Sequence, residues 1–136
     1  MRAILIDTHA YAAFKLADPS VCEVLSAADR ILVSVVVLGE LIGGFAAGSR
    51  ESRNRLELSR FLDSPRVEIV PVTPQTADSY GLVYAMLRRK GRPIPSNDLW
   101  IAATALEHGA ALLSLDAHFS SIDGLRLGRT IDDFLP

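Results

Sequence analysis

An α/β fold with a largely parallel central sheet flanked by helices is the architecture this sequence predicts, on three observations. Short apolar runs at residues 4–6, 31–35, 67–70 and 111–115 have the length of strands and lack the alternation of half-exposed ones, so they read as buried on both faces. Helix-length segments lie between them, as strand–helix alternation requires. The 136 residues, 49% of them hydrophobic, are enough for one compact core and too apolar for a disordered chain.

The elements follow in order. The first run ends at Asp7 and is too short for the apolar core of a signal peptide. Asp18-Pro19-Ser20 opens a helix reaching about residue 28, and Cys22 within it reads as a buried, unpaired thiol. The second run leads into a helix over about 37–47. Between residues 31 and 49 the one charge is Glu40, and Gly39, Gly43, Gly44 and Gly48 interrupt the apolar stretch. A strand and a core helix account for it better than a membrane span, where a central acid is costly. A third helix covers 51–62, with Glu51 and Glu57 spaced to pair with Arg55 and Arg60.

Two later helices have marked ends. Thr73-Pro74 is an N-cap followed by proline, and Arg88-Arg89-Lys90-Gly91 places cations in a last turn before a glycine stop. After Pro95, Ser96 or Asn97 is expected to cap a helix that carries Leu99, Ala102, Ala103 and Leu106 on one face and ends at His108-Gly109. Trp100 on this alanine-rich helix reads as core. The sequence reads as soluble and cytoplasmic.

Four acids stand out by position. Asp7 and Asp116 follow strand-like runs, Asp98 falls in a first helical turn, and Glu40 sits among apolar and small residues. In parallel α/β folds, sites form outside the carboxyl ends of strands. Each acid also has a structural explanation: Asp7 as a helix cap, Asp98 as a first-turn acid favoured by the dipole, Asp116 as a turn residue, and Glu40 as the partner of Arg2 or of a helix arginine. Glu40 is the hardest to explain so, because a fully buried carboxylate is costly without a counter-charge. Two carboxylates about 5 Å apart repel by roughly 3 kcal/mol at an effective dielectric near 20. A shared site therefore calls for a cation, and an all-oxygen set suits Mg2+ or Mn2+. The single cysteine and three histidines show no zinc-ligand spacing. Phosphate-loop, dinucleotide and serine-elbow motifs are absent.

Four blocks carry a family resemblance. Ile4-Leu5-Ile6-Asp7-Thr8, Val35-Val36-Val37-Leu38-Gly39-Glu40-Leu41, Pro95-Ser96-Asn97-Asp98-Leu99-Trp100-Ile101-Ala102-Ala103 and Leu113-Ser114-Leu115-Asp116-Ala117-His118-Phe119 resemble, in order, the four motifs of PIN domains. The third block and the chain length resemble VapC-like toxins of toxin–antitoxin pairs in particular. The resemblance implies a three-layer sandwich and a single nuclease domain over residues 1–136. It implies an Mg2+- or Mn2+-dependent endoribonuclease, a homodimer held in check by a small cognate antitoxin. Asp7, Glu40, Asp98 and Asp116 would form its catalytic and metal-binding quartet, with Thr8, Asn97 and Ser114 as polar supports. His9 and His118 depart from the family pattern, the latter standing where some relatives carry a further acid, which weighs against a filled second metal position.

The net charge of −2 leaves RNA to be met by a local patch. One basic cluster, Arg50, Arg53, Arg55 and Arg60, reads as a solvated face; the other, Arg88, Arg89, Lys90 and Arg92, precedes the Asp98 block and is the candidate RNA contact. The Gly39, Gly43, Gly44 and Gly48 spacing reads as close packing within the core, or else as a dimer contact. Two other functions remain open: a PIN nuclease of RNA processing that is no toxin, and a catalytically silent nucleic-acid or partner-binding module.

Overall fold

The structure, a computed structural model, describes residues 3–135; Arg2 lies outside them. Its elements are β1 (Ala3–Ile6), α1 (Thr8–Lys15), α2 (Pro19–Ala27), β2 (Arg30–Ser34), α3 (Val35–Ala47), α4 (Glu51–Leu62), β3 (Val67–Val70), α5 (Pro74–Lys90), α6 (Ser96–Glu107), β4 (Ala111–Leu113) and β5 (Leu127–Gly128). Short 3-10 segments occupy Ala117–Ser121 and Ile131–Phe134.

The strands form one parallel sheet in the order β3-β2-β1-β4-β5. Leu5 of β1 pairs with Leu32 on one side and Leu112 on the other, so the most apolar strands are central and these three leucines are fully buried. The chain winds outward from β1 through β2 to β3, then returns to lay β4 on the other side of β1. Right-handed crossovers send the helices of the two halves to opposite faces, giving three layers. The carboxyl ends of β1 and β4 therefore flank the point where winding reverses, which is where α/β sheets open a crevice.

Several boundaries differ from expectation for local reasons. Strand β2 stops at Ser34, whose hydroxyl accepts from the Val37 amide at 3.1 Å and starts α3 two residues early. Strand β4 stops at Leu113, so Asp116 lies three residues beyond it. Strand β3 is not buried on both faces, because it is the sheet edge and leaves Glu68 and Ile69 exposed. The two-residue β5 has no counterpart in the apolar pattern and exists through its pairing with Leu112 and Leu113. Pro95 holds the N-cap position of α6, and neither Ser96 nor Asn97 caps it with a side chain. Cys22 is half-buried, not buried.

Helices α5 and α6 pack antiparallel. At one end the Thr73 and Thr76 hydroxyls, paired in a capping box, donate to Glu107 at 3.2 and 2.5 Å. Half-buried Trp100 lies against Tyr80 with ring centroids 4.3 Å apart midway along. At the other end the last turn of α5, with Arg88, Arg89 and Lys90, lies beside the start of α6, which carries Asp98, and Gly91 in the left-handed conformation (φ 67°) closes α5.

Gly128 supports this end of the sheet by having no side chain. A Cβ there would lie 2.5 Å from Cβ of Asp133 and 2.7 Å from the Phe134 ring. Gly128→Ala is expected to cost about 1–3 kcal/mol through overpacking. Urea unfolding checks this, and an unchanged midpoint would contradict the packing described.

Candidate active site

Asp7 leaves β1 directly into α1 and is buried. Its Oδ1 accepts the Ala10 amide at 2.8 Å as the α1 N-cap, and its Oδ2 accepts the Ser114 hydroxyl at 2.5 Å. Ser114, itself buried just past β4, in turn accepts the Asp116 amide at 3.0 Å. One hydroxyl thus ties the acids at the ends of the two central strands to each other.

Glu40 is half-buried in α3 rather than enclosed. Its counter-groups are neutral: the Thr8 hydroxyl donates to Oε1 at 2.7 Å and the Asn97 amide to Oε2 at 3.4 Å. Among the described residues no arginine pairs with it. Asp98, half-buried in the first turn of α6, faces the loop after β4. There Asp116 caps the 3-10 segment by accepting the His118 amide at 2.9 Å, a turn that brings the imidazole over both acids. His118 Nδ1 lies 3.5 Å from Asp98 Oδ2 and 3.2 Å from Asp116 Oδ2.

Asp98, Asp116 and His118 each offer a ligand atom, and these atoms lie within 4.8 Å of one another. Asp7 and Glu40 do not join that tight group, but they share its field. Burial chiefly raises the Asp7 pKa, opposed by the Ser114 hydroxyl, the Ala10 amide and His9, with the Asp116 charge adding to the rise. Burial also leads the rise at Asp98; His118 opposes it, while Asp116 and Glu40 reinforce it. The sequence treated His118 only as a departure from a family pattern. Its place two residues after Asp116 is the available signal, and it is the turn at Asp116 that sets it beside the two acids.

These shifts have a sign in stability. A carboxyl whose native pKa is raised lends stability that is complete below its unfolded value, near 3.8, and is lost as pH rises through the native one. In EDTA, wild-type stability is therefore expected to fall more steeply than that of Asp7→Asn as pH rises from about 4 into the weakly acidic range. Chemical unfolding of the two proteins across that range checks it; parallel profiles would contradict the burial of Asp7.

The basic clusters sort unevenly. Glu57 pairs with Lys15 at 2.9 Å and Arg53 at 3.1 Å, in place of the expected Glu57–Arg60 pair, and no Glu51–Arg55 pair forms among the described residues. Lys90 is held by Asp123 and the Ser121 carbonyl, and Arg88 by the Tyr84 hydroxyl. Arg89 and Arg92 are exposed and carry no ion pair among the described residues. Gly39, Gly43 and Gly44 face solvent with open space around them, so core packing does not explain them. Among the described residues, no helix is long and apolar enough to cross a membrane.

Comparison with known proteins places this geometry in context. Residues 4–125 match the family described as the PIN domain. Ribonuclease VapC4 of Mycobacterium tuberculosis is 34% identical over 90 residues, 66% of this chain and 69% of that protein. The DNA-bound VapBC of Salmonella typhimurium superimposes with a TM-score of 0.82 at 27% identity, over 94% of this chain and 98% of that one. VapBC2 of Rickettsia felis, bound to a DNA fragment from its promoter, gives 0.81 at 27% identity over 93% and 97%.

Proposed function

The chain belongs to the PIN-domain family, and on that premise we propose that it is a divalent-metal-dependent endoribonuclease, the toxin half of a toxin–antitoxin pair. The observation that carries the reading is that four acids share one field at the winding reversal and, among the described residues, have no arginine or lysine partner. Such a set fits a hard divalent ion, Mg2+ or Mn2+, which its mutual repulsion requires. Asp98 and Asp116 would hold the ion directly and Asp7 directly or through water. When bound, the ion supplies counter-charge to the acids and to the scissile phosphate and acidifies water.

The chain's own residues supply the rest. Ser114 and the Ala10 amide fix the Asp7 carboxylate, leaving it one orientation. Thr8 and Asn97 hold Glu40 on the opposite wall, suited to orient the attacking water and accept its proton. Water attack on phosphorus with departure of the 3′ oxygen gives 5′-phosphate and 3′-hydroxyl ends. Arg89 in the last turn of α5 and Arg92 just past it are suited to the RNA backbone, and Arg88 and Lys90 contribute field while tied to their own partners.

The same reading treats residues 1–136 as a single domain acting in the cytoplasm and bound by a small antitoxin; the likeness to a member of the VapBC family of toxin-antitoxin systems supports that partner. The solvent-facing apolar stripe of Val35, Gly39 and Gly43 on α3 supports a homodimer. Incubating RNA with the protein and Mn2+ tests the activity. Discrete cuts with 5′-phosphate ends, abolished by EDTA, are expected; an RNA left intact in Mn2+ would instead favour a silent binding module.

A further inference from the structure

We propose that His118 is itself a ligand of the site, turning it from Mg2+ towards a first-row transition ion such as Mn2+. This rests on the reading of the acids as a divalent-ion site, and adds a donor that an acid-only quartet leaves out. The geometry is that of a ligand triad. Ligands about 2.1 Å from a small ion and at right angles to each other stand about 3 Å apart. Nδ1 of His118 lies 3.2 Å from Asp116 Oδ2 and 3.5 Å from Asp98 Oδ2. Both are long for a charge-assisted N–H to carboxylate bond, which shortens to about 2.7–2.9 Å. The nitrogen stands between two acids without closing on either, the spacing an ion between them would fill.

The backbone holds it there. The His118 amide is bonded to Asp116 Oδ1, leaving Oδ2 towards the imidazole, and Phe119 is buried beside it to anchor the segment. The side chain is 57% exposed, so nothing in the core requires a histidine at this position. The consequence is chemical. Mg2+ prefers oxygen donors and keeps its waters, whereas first-row transition ions accept imidazole nitrogen more readily, Mn2+ the least strongly of that series. An aspartate at 118 would give a harder, more anionic site.

Mn2+ titration of RNA-free protein, followed by electron paramagnetic resonance, reads both affinity and nitrogen coordination. Wild type and His9→Ala should show spin-echo modulation from a directly bound 14N. His118→Ala should lose it and bind Mn2+ about tenfold more weakly, or worse. His118→Asp should lose it too while improving Mg2+ binding relative to Mn2+ by a similar factor. Matching melting temperatures in EDTA establish that each variant is folded. Bound Mn2+ with no 14N modulation in wild type, or modulation that persists in His118→Ala, overturns the ligand role alone. If wild type binds no Mn2+, or Asp98→Asn binds it undiminished, the reading of the acids fails and this proposal with it.

Discussion

Asp7→Asn is expected to lower RNA cleavage by at least about a hundredfold while leaving the protein folded. The two halves of that expectation have separate causes. Asparagine is as good an N-cap as aspartate, so the bond from the Ala10 amide survives. Ser114 is amphoteric and can turn its hydroxyl to accept from an amide where it donated to a carboxylate. Removing a charge from a buried position surrounded by other acids relieves repulsion, so stability in EDTA should hold or rise. Activity goes because the charge is what the site uses; loss of one electrostatic contact at a phosphoryl or oxyanion centre typically costs about 10²–10³ in rate. Asp7→Ala is the contrasting control, since it removes the cap as well and should cost about 1 kcal/mol of stability. Parallel melting and cleavage measurements distinguish the cases. An Asp7→Asn protein that cuts at the wild-type rate would remove Asp7 from the site.

The second large effect is thermal. An ion that binds the folded state alone stabilises it by mass action, about 2.7 kcal/mol at a hundredfold excess over its dissociation constant. For a chain of this size that is on the order of 10 °C in Tm. Mn2+ should raise the Tm of wild type by this order, and Asp116→Asn, which removes an acid from the triad, should abolish most of the rise. A small or equal shift in both proteins would mean that the acids stand together without a resident cation.

What the sequence made legible was what local physics decides. Thr73-Pro74 and Gly91 bracket α5 because capping and left-handed glycine act within a turn or two of chain. Ile4-Leu5-Ile6 ending at Asp7 reveals a central strand because both faces of a parallel sheet are buried. What stayed hidden depended on distance. Glu40 looked enclosed because its sequence neighbours are apolar, yet its partners Thr8 and Asn97 lie 32 and 57 residues away and α3 leaves it half open. Leu127 and Gly128 make no strand signal alone; the neighbouring β4 makes them one. Edge position exposes Ile69 in β3, whose composition matches that of an interior strand. His118 shows nothing by spacing until the turn at Asp116 swings it towards Asp98, more than a helix length earlier in the chain.

The assignment of the four acids to one metal-dependent cleavage site is tested most directly by single-turnover cutting of one mapped RNA, comparing wild type with Asp98→Asn in Mn2+ and in EDTA. Asp98 is the residue common to the ligand triad and to the field of Glu40. Fast cleavage by wild type in Mn2+ alone, with at least about a hundredfold loss in both the variant and EDTA, is the predicted result. Cleavage that persists at the wild-type rate in Asp98→Asn, or in EDTA, would contradict it.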